Sequence, residues 1–390
     1  MRFFAFGEIM KGSERNSLCF CGSGLKYKKC HLIIEDKAQT EQYILGRKFQ
    51  LHEMQKLFDE TLYPEICIAK GLDSSCSDQI INAHTLTKSL SLNQIAKNGH
   101  VYGFKNKDIF DFYRNDGFTS FRKLGIRTAS TFKGFCSYHD NRLFSCLEKQ
   151  NFGLLEEQNA ALLYRAFALE LYKKKTVLEH ARKSFKPLLD SFSTGQVNRG
   201  SELLIHNLKR AKLDFDDMHY INEILINLLN EKKYSKIRTY ALKLDFKIPF
   251  ICTGVFAIYR DVHHEIIQDV FDYSLPKMSY TALNIFYAKD GSSWLVLSWL
   301  DVFDEINLRI VEQIQKFNVE DQINILGNLM IFYTENSYFS MEYIDSLKTN
   351  LKENIEKNFN GTFMKQFSKL TEPNFIFNNF NADIFFIKNT

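Results

Sequence analysis

Apolar residues follow a helical period over two stretches of the chain. Between residues 36 and 62, and again between 152 and 240, they recur every three or four positions, as Leu162, Leu163 and Phe167 illustrate. This spacing is typical of amphipathic helices with one buried face. We therefore predict a helix leading away from the N-terminal segment and a central region that is helical almost throughout.

Short apolar runs replace the helical period between residues 243 and 300. Asp290-Gly291 separates two of these runs, and this dipeptide is typical of a tight turn between antiparallel strands. We predict an antiparallel sheet of three to five strands in this region and a further strand at His100–Phe104. The helical period returns afterwards and predicts helices near 302–317, 319–334 and 340–358.

These patterns together predict an α+β protein in which helices dominate. A chain of 390 residues is longer than one hydrophobic core usually serves, so several domains are expected. The predicted parts are a cysteine-rich segment at 1–34, a linker helix plus mixed region at 35–150, a helical domain at 151–242, and an antiparallel sheet with C-terminal helices at 243–390.

Charge and hydropathy exclude some classes of protein. The net charge of +4 is too small to indicate a nucleic-acid-binding surface by itself. No apolar run approaches the roughly 20 residues of a membrane span, and Glu8 interrupts the first apolar stretch, which argues against a signal peptide. We therefore expect a cytoplasmic protein whose eight cysteines are metal ligands or reduced thiols rather than disulfides.

The first cysteine group lies in Arg15-Asn-Ser-Leu-Cys-Phe-Cys-Gly-Ser-Gly-Leu-Lys-Tyr-Lys-Lys-Cys-His31. Three thiolates and one imidazole are donors that suit tetrahedral Zn²⁺, and Gly22 and Gly24 allow a tight turn between the two ligand pairs. The segment has too few apolar residues for a core, so metal binding would supply most of its folding free energy. Its candidate ligands are Cys19, Cys21, Cys30 and His31.

This segment, which we call the knuckle (residues 15–31), resembles the SEC-C motif. That motif is the zinc-binding module of the tail of SecA, the preprotein translocase ATPase, and it also occurs on many otherwise unrelated bacterial proteins. The pattern is met at Arg15, Asn16, Cys19 to Gly24, Lys26 to Lys28, Cys30 and His31. Ser17-Leu18 replaces an acidic residue and Pro, and Phe20 replaces a frequent Pro, but no ligand position changes.

The resemblance implies one zinc ion, because the module binds zinc. It also implies docking, because the module in the translocase contacts a chaperone and the ribosome. We therefore expect residues 15–31 to bind a protein or ribonucleoprotein partner of a bacterial protein. The resemblance implies no catalysis, since four protein ligands leave no open position on the metal. The sequence also has no Gly-x-x-x-x-Gly-Lys-Ser/Thr phosphate loop, so nucleotide hydrolysis of that type is not expected.

A second group of cysteines and histidines lies between residues 67 and 139. Cys136-x-x-His139 is a common half-site for zinc, and Cys76 with His84 could complete four ligands. Cys67 and His100 are spare candidates for the same site. The alternative interpretation is a pair of buried free cysteines with surface histidines.

The segment 76–141 also has some similarity to HNH-type nucleases, whose ββα fold sits on a structural zinc. There a histidine activates water while a bound Mg²⁺ stabilises the phosphate, which would make His84 the general base. The pattern departs from that family because Ala83 stands where an acidic metal ligand is common. No later catalytic histidine falls in register either.

Three functional hypotheses follow. The first is a zinc-binding docking protein that recruits a partner through the knuckle, and the second is a metal-dependent nuclease centred on His84 and the 136–141 turn. The third is a non-catalytic structural or stress-related assembly component. Arg165, on a predicted helix, is interpreted as part of a solvated helix face rather than of a site.

Overall fold

The computed structural model describes residues 16–19, 23–30, 64–105, 118–192, 199–270, 278–361, 368–375 and 382–388. The chain folds as two compact units, Met1–Tyr63 with Lys173–Asp217, and Pro64–Tyr172 with Met218–Thr390. The predicted helix at 36–62 lies outside the described residues, and so do two of the predicted knuckle ligands, Cys21 and His31.

Helices dominate the described part of the chain, which confirms the predicted α+β class. Within the described ranges no helix has both the length and the apolar character that a membrane crossing requires. The helices are α1 (Asn93–Ile95), α2 (Ser137–Lys149), α3 (Glu156–Phe192), α4 (Arg199–Glu231), α5 (Asp304–Ile314), α6 (Val319–Tyr333), α7 (Met341–Ser346) and α8 (Thr349–Gly361).

The described strands form two antiparallel sheets. One is a pair, β1 with β4, and the other has eight strands in the order β10-β5-β8-β7-β6-β9-β2-β3. The strands are β1 (Ile80–His84), β2 (His100–Phe104), β3 (Phe121–Gly125), β4 (Thr131–Cys136), β5 (Ile237–Leu244), β6 (Phe250–Phe256), β7 (Thr281–Tyr287), β8 (Ser293–Leu300), β9 (Ser337–Phe339) and β10 (Ala382–Lys388).

The predicted sheet between residues 243 and 300 is present as β6, β7 and β8, and β2 confirms the predicted strand at His100–Phe104. The prediction of helix up to residue 240 is wrong at its end, because β5 begins at Ile237. Strand β5 pairs along its whole length with β8, so this tertiary pairing overrides the helical interpretation of its apolar residues.

The turn between β7 and β8 confirms the hairpin predicted at Asp290-Gly291. Strand pairing extends past Tyr287 and Ser293 because the Ala288 amide donates to the Ser292 carbonyl at 2.9 Å. Gly291 has φ of +84°, a conformation that glycine adopts without steric cost. The loop is therefore the three-residue type, in which a left-handed residue follows a tight turn, rather than the two-residue type.

The core of the larger unit lies on both sides of the central strands. Every residue of β8 is buried, including Trp294 and Trp299, so both tryptophans lie in the core. Helix α6 packs closely against its neighbours at Gly327, where a Cβ atom would lie 2.5 Å from Phe375 and 3.4 Å from Phe250 of β6. Ser340 caps α7, because its hydroxyl accepts a hydrogen bond from the Tyr343 amide at 3.4 Å.

A buried polar network joins the β1–β4 pair to the large sheet. The Asn336 amide group donates to Thr85 Oγ1 at 2.9 Å, and its oxygen accepts from the Tyr338 hydroxyl at 2.9 Å. Thr85 Oγ1 lies 2.5 Å from Ser130 Oγ, and the Ser130 amide donates to the Tyr338 hydroxyl oxygen at 2.6 Å. These bonds hold β1 and β4 in a fixed position next to β9.

Candidate metal centre

Strands β1 and β4 and helix α2 bring together cysteine and histidine side chains from residues 67–139. Strand β1 pairs antiparallel with β4, with Ile80 opposite Cys136 and His84 opposite Thr131. Helix α2 begins directly after β4, and Cys136 is its N-cap residue, because the sulfur accepts a hydrogen bond from the His139 amide. The strand therefore places Cys136 where the helix starts, and the first turn of α2 places His139 beside it.

Four ligand atoms converge at this point, three thiol sulfurs and one imidazole nitrogen. All of them lie within 4.8 Å of one another, and we call this group the Cys₃His cluster: Cys67, Cys76, Cys136 and His139. His139 Nδ1 lies 3.3 Å from the sulfurs of both Cys67 and Cys136. Neighbouring ligands of a tetrahedral zinc with Zn–S bonds of about 2.3 Å are about 3.8 Å apart, so the group has the size to hold such an ion.

The histidine of the cluster is oriented by a carboxylate on its far side. His139 is fully buried, and its Nε2 atom lies 3.3 Å from Asp73 Oδ1. Asp73 also forms an ion pair with Arg142 and accepts a hydrogen bond from the Ser75 amide at 2.6 Å. A carboxylate at this position fixes the tautomer that leaves Nδ1 free to bind a metal.

The electrostatic environment differs between the two cysteines nearest His139. Burial raises the pKa of the Cys67 thiol to about 12. Burial also acts to raise the pKa of Cys136, but hydrogen bonds from the His139 amide and from Ser77 outweigh it and bring that pKa to about 6. Cys136 thus lies in surroundings that favour the thiolate, the form in which cysteine binds metals.

The structure brings together three of the four residues predicted for the second zinc site, namely Cys76, Cys136 and His139. His84 is not in the cluster, because it lies at the opposite end of β1 from Ile80, about 13 Å along the strand. Cys67, a spare candidate in the sequence, stands in its place. The other spare, His100, is exposed, and its Nδ1 lies 2.8 Å from the Asn98 carbonyl oxygen.

The described part of the knuckle is a small hairpin. The Cys19 amide donates to the Leu25 carbonyl at 2.7 Å, and the Tyr27 amide donates to the Ser17 carbonyl at 2.9 Å. Gly24 has φ of +74°, as expected for the turn between the two ligand pairs. Cys19 is buried and Cys30 is half-buried.

Comparison with known families supports the interpretation of the knuckle. Residues 15–32 match the sequence model of the SEC-C motif, which confirms the resemblance seen in the sequence. No curated protein and no solved structure matches the chain. The rest of the chain therefore has no family assignment, and the weak resemblance of 76–141 to HNH nucleases gains no support from a relative.

The Asp73→Ala substitution is expected to weaken metal binding at the Cys₃His cluster by about 10- to 100-fold, because His139 loses the carboxylate that orients it. Competition with a chromophoric zinc chelator measures this affinity in the full-length chain. Glu342→Ala is the matched control, since Glu342 is an exposed carboxylate on α7 that forms an ion pair with Lys97 and is not part of the cluster. Equal affinities in the Asp73→Ala variant and the wild type would contradict the assigned role of Asp73.

Proposed function

We propose that this protein binds two zinc ions and docks to a partner through its knuckle. The first ion is held by Cys19, Cys21, Cys30 and His31. The second is held by the Cys₃His cluster and is structural. The observation that carries the proposal is the convergence of four ligand atoms within 4.8 Å, on segments that the sequence separates by some sixty residues.

The chemistry of the Cys₃His cluster favours zinc over the hard cations. Three sulfurs and an imidazole are soft or borderline donors, whereas Mg²⁺ and Ca²⁺ prefer oxygen ligands. Four protein ligands fill a tetrahedral zinc, so no position remains for a catalytic water. The ion would therefore act by holding the segment from Cys67 to Cys76 against the start of α2.

Surface character supports docking through the knuckle. Leu18 and Leu25 are 73% and 50% exposed and stand on the two sides of one hairpin, where Leu18 bridges to Lys26. Lys26, Lys28 and Lys29 are also exposed on the same short hairpin. Two apolar side chains among lysines suit a partner that offers an apolar contact surrounded by acidic groups.

Zinc content tests the two-ion proposal. Mass-spectrometric metal analysis is expected to find two zinc ions per wild-type chain, and one in either Cys21→Ser or Cys136→Ser. Cys252→Ser is the matched control, because Cys252 is a fully buried cysteine on β6 outside the cluster and should leave both ions bound. If Cys136→Ser retains as much zinc as Cys252→Ser, the second site does not exist.

A pull-down comparison tests the docking role separately from metal binding. Leu18→Ser combined with Leu25→Ser alters the exposed surface of the knuckle but no ligand, so zinc content should stay the same while a partner is lost. Leu155→Ser is the matched control, because Leu155 is 56% exposed and lies far along the sequence from the knuckle. An identical set of bound proteins for the double variant and the control would refute docking through this surface.

The other two hypotheses have less support. A nuclease would need a metal site with oxygen ligands next to His84, and the group of metal-binding side chains found among the described residues is the sulfur-rich Cys₃His cluster. The nuclease hypothesis also requires His84 to lie together with Cys136 and His139, and it does not. A role as a structural assembly component is compatible with both zinc sites. Loss of a partner from the Leu18→Ser, Leu25→Ser variant in the pull-down would favour the docking role over this structural role.

A further inference from the structure

The Cys₃His cluster combines three closely spaced sulfurs with a partial opening to solvent. Its four ligand atoms lie within 4.8 Å of one another, and Cys67 and Cys76 are half-buried whereas Cys136 is buried. An oxidant as small as hydrogen peroxide can therefore reach a sulfur of the cluster from solvent. Thiolates are the form of cysteine that reacts with peroxide, and zinc keeps its cysteine ligands in that form.

The positions of the sulfurs favour one pair of cysteines for a disulfide. The sulfurs of Cys67 and Cys136 each lie 3.3 Å from the same atom, His139 Nδ1. The Cys76 sulfur instead donates a hydrogen bond to Asp78 Oδ1 at 3.7 Å. Two sulfurs within 4.8 Å need a combined shift of less than about 3 Å to reach the disulfide distance of about 2.0 Å. Cys67 and Cys136 are therefore the pair that we expect to join.

Hydrogen bonds that involve no ligand side chain hold the segments of this pair together. The Ile66 amide donates to the Lys133 carbonyl at 3.2 Å, which ties the residue before Cys67 to β4. The Ser137 amide donates to the Gln79 carbonyl at 3.0 Å, which ties the start of α2 to the segment before β1. These bonds keep the sulfurs close to each other when the ion leaves. Such proximity favours an intramolecular disulfide over further oxidation of either sulfur.

Helix α2 has a further anchor in Arg165 of α3. This residue does not lie on a solvated helix face, so that interpretation of the sequence is wrong. It is 3% exposed, its guanidinium lies 4.1 Å from the centre of the Phe144 ring, and its Nη2 atom donates to Glu148 at 2.9 Å. Phe144 and Glu148 both belong to α2. The helix that carries His139 is therefore held by contacts that do not depend on a metal.

We propose that the Cys₃His cluster is a redox-controlled zinc site, in which hydrogen peroxide joins Cys67 and Cys136 in a disulfide and releases the ion. The inference rests on the proposed function, because it requires zinc at the cluster. In the first step the Cys67 thiolate attacks one peroxide oxygen, the O–O bond breaks, and a sulfenic acid and hydroxide form. In the second step the Cys136 thiolate attacks that sulfur, the S–O bond breaks, and a second hydroxide leaves. Two electrons thus pass from the two sulfurs to the peroxide.

Formation of the disulfide explains why the ion leaves. Zinc binds cysteine as the thiolate, and a disulfide sulfur carries no negative charge. Cys76 and His139 then remain as the two protein donors of the cluster, which is half of the tetrahedral set. The new bond joins the same two segments that the ion joined. Reduction by a dithiol regenerates both thiols, so zinc binding is reversible.

Peroxide treatment of the full-length, zinc-loaded protein tests the proposal. The Cys21→Ser and Cys30→Ser substitutions remove the knuckle ion, so a chromophoric chelator reports release from the cluster alone. Release of the ion should accompany formation of a disulfide between Cys67 and Cys136, with Cys76 still open to alkylation in peptide mass mapping. A dithiol with added zinc should restore binding.

Two further substitutions in this protein keep four zinc ligands and separate the roles of the cysteines, because histidine also binds zinc. Cys67→His removes one partner of the disulfide, so peroxide should release zinc at least about fivefold more slowly. Cys76→His is the matched control, since it also replaces a half-buried cysteine ligand but keeps both disulfide partners. This variant should release zinc as the protein with all three cysteines does.

Zinc content before the oxidant is added separates this inference from the proposed function. A cluster that holds no zinc at that stage would refute the second ion, and the redox proposal with it. Bound zinc that peroxide does not release would overturn the redox proposal alone. So would a disulfide that contains Cys76, or equal release rates from Cys67→His and Cys76→His. The disulfide mapping depends on neither histidine variant, so it decides the question if one of them does not fold.

Discussion

The meeting of three thiols and one imidazole at a single point is the constraint on which the region from residue 64 to 150 depends. The chain between Cys76 and Cys136 contains β1, β2, β3 and β4, yet its ends lie within ligand distance of each other. Closing so long a loop costs conformational entropy, and an ion that bridges its ends offsets that cost. We propose that zinc supplies this link.

The consequences of that link extend into the large sheet. Zinc at the cluster would fix the end of β4 at Cys136, and the other end of the β1–β4 pair is held by the buried bonds of Thr85 and Ser130 with Asn336. β2 and β3 belong to the intervening chain and pair with each other, and β2 also pairs with β9. A structural change at the metal ligands can therefore reach the large sheet along the chain and through these hydrogen bonds.

The sequence predicted local features well and long-range partners poorly. The knuckle motif and the turn at Asp290-Gly291 each depend on a few neighbouring residues, so their signals are visible in the sequence. The place of β5 beside β8 depends on residues more than fifty positions away, and helical spacing of apolar residues concealed it. The residues that converge were hidden in the sequence for the same reason. Cys67 and His84 both stand near Cys76, but pairing with β4 puts His84 opposite Thr131, whereas the bond from the Ile66 amide to the Lys133 carbonyl brings Cys67 to the cluster.

The coordination of zinc at the Cys₃His cluster is the most direct test of this account. X-ray absorption at the zinc K edge, on full-length protein with Cys21→Ser and Cys30→Ser to remove the knuckle ion, reports the ligand atoms of the remaining site. Three sulfurs at about 2.3 Å and one nitrogen at about 2.0 to 2.1 Å are expected. A zinc surrounded by oxygen or nitrogen ligands, or a protein that folds as the wild type does with no zinc bound, would contradict the account.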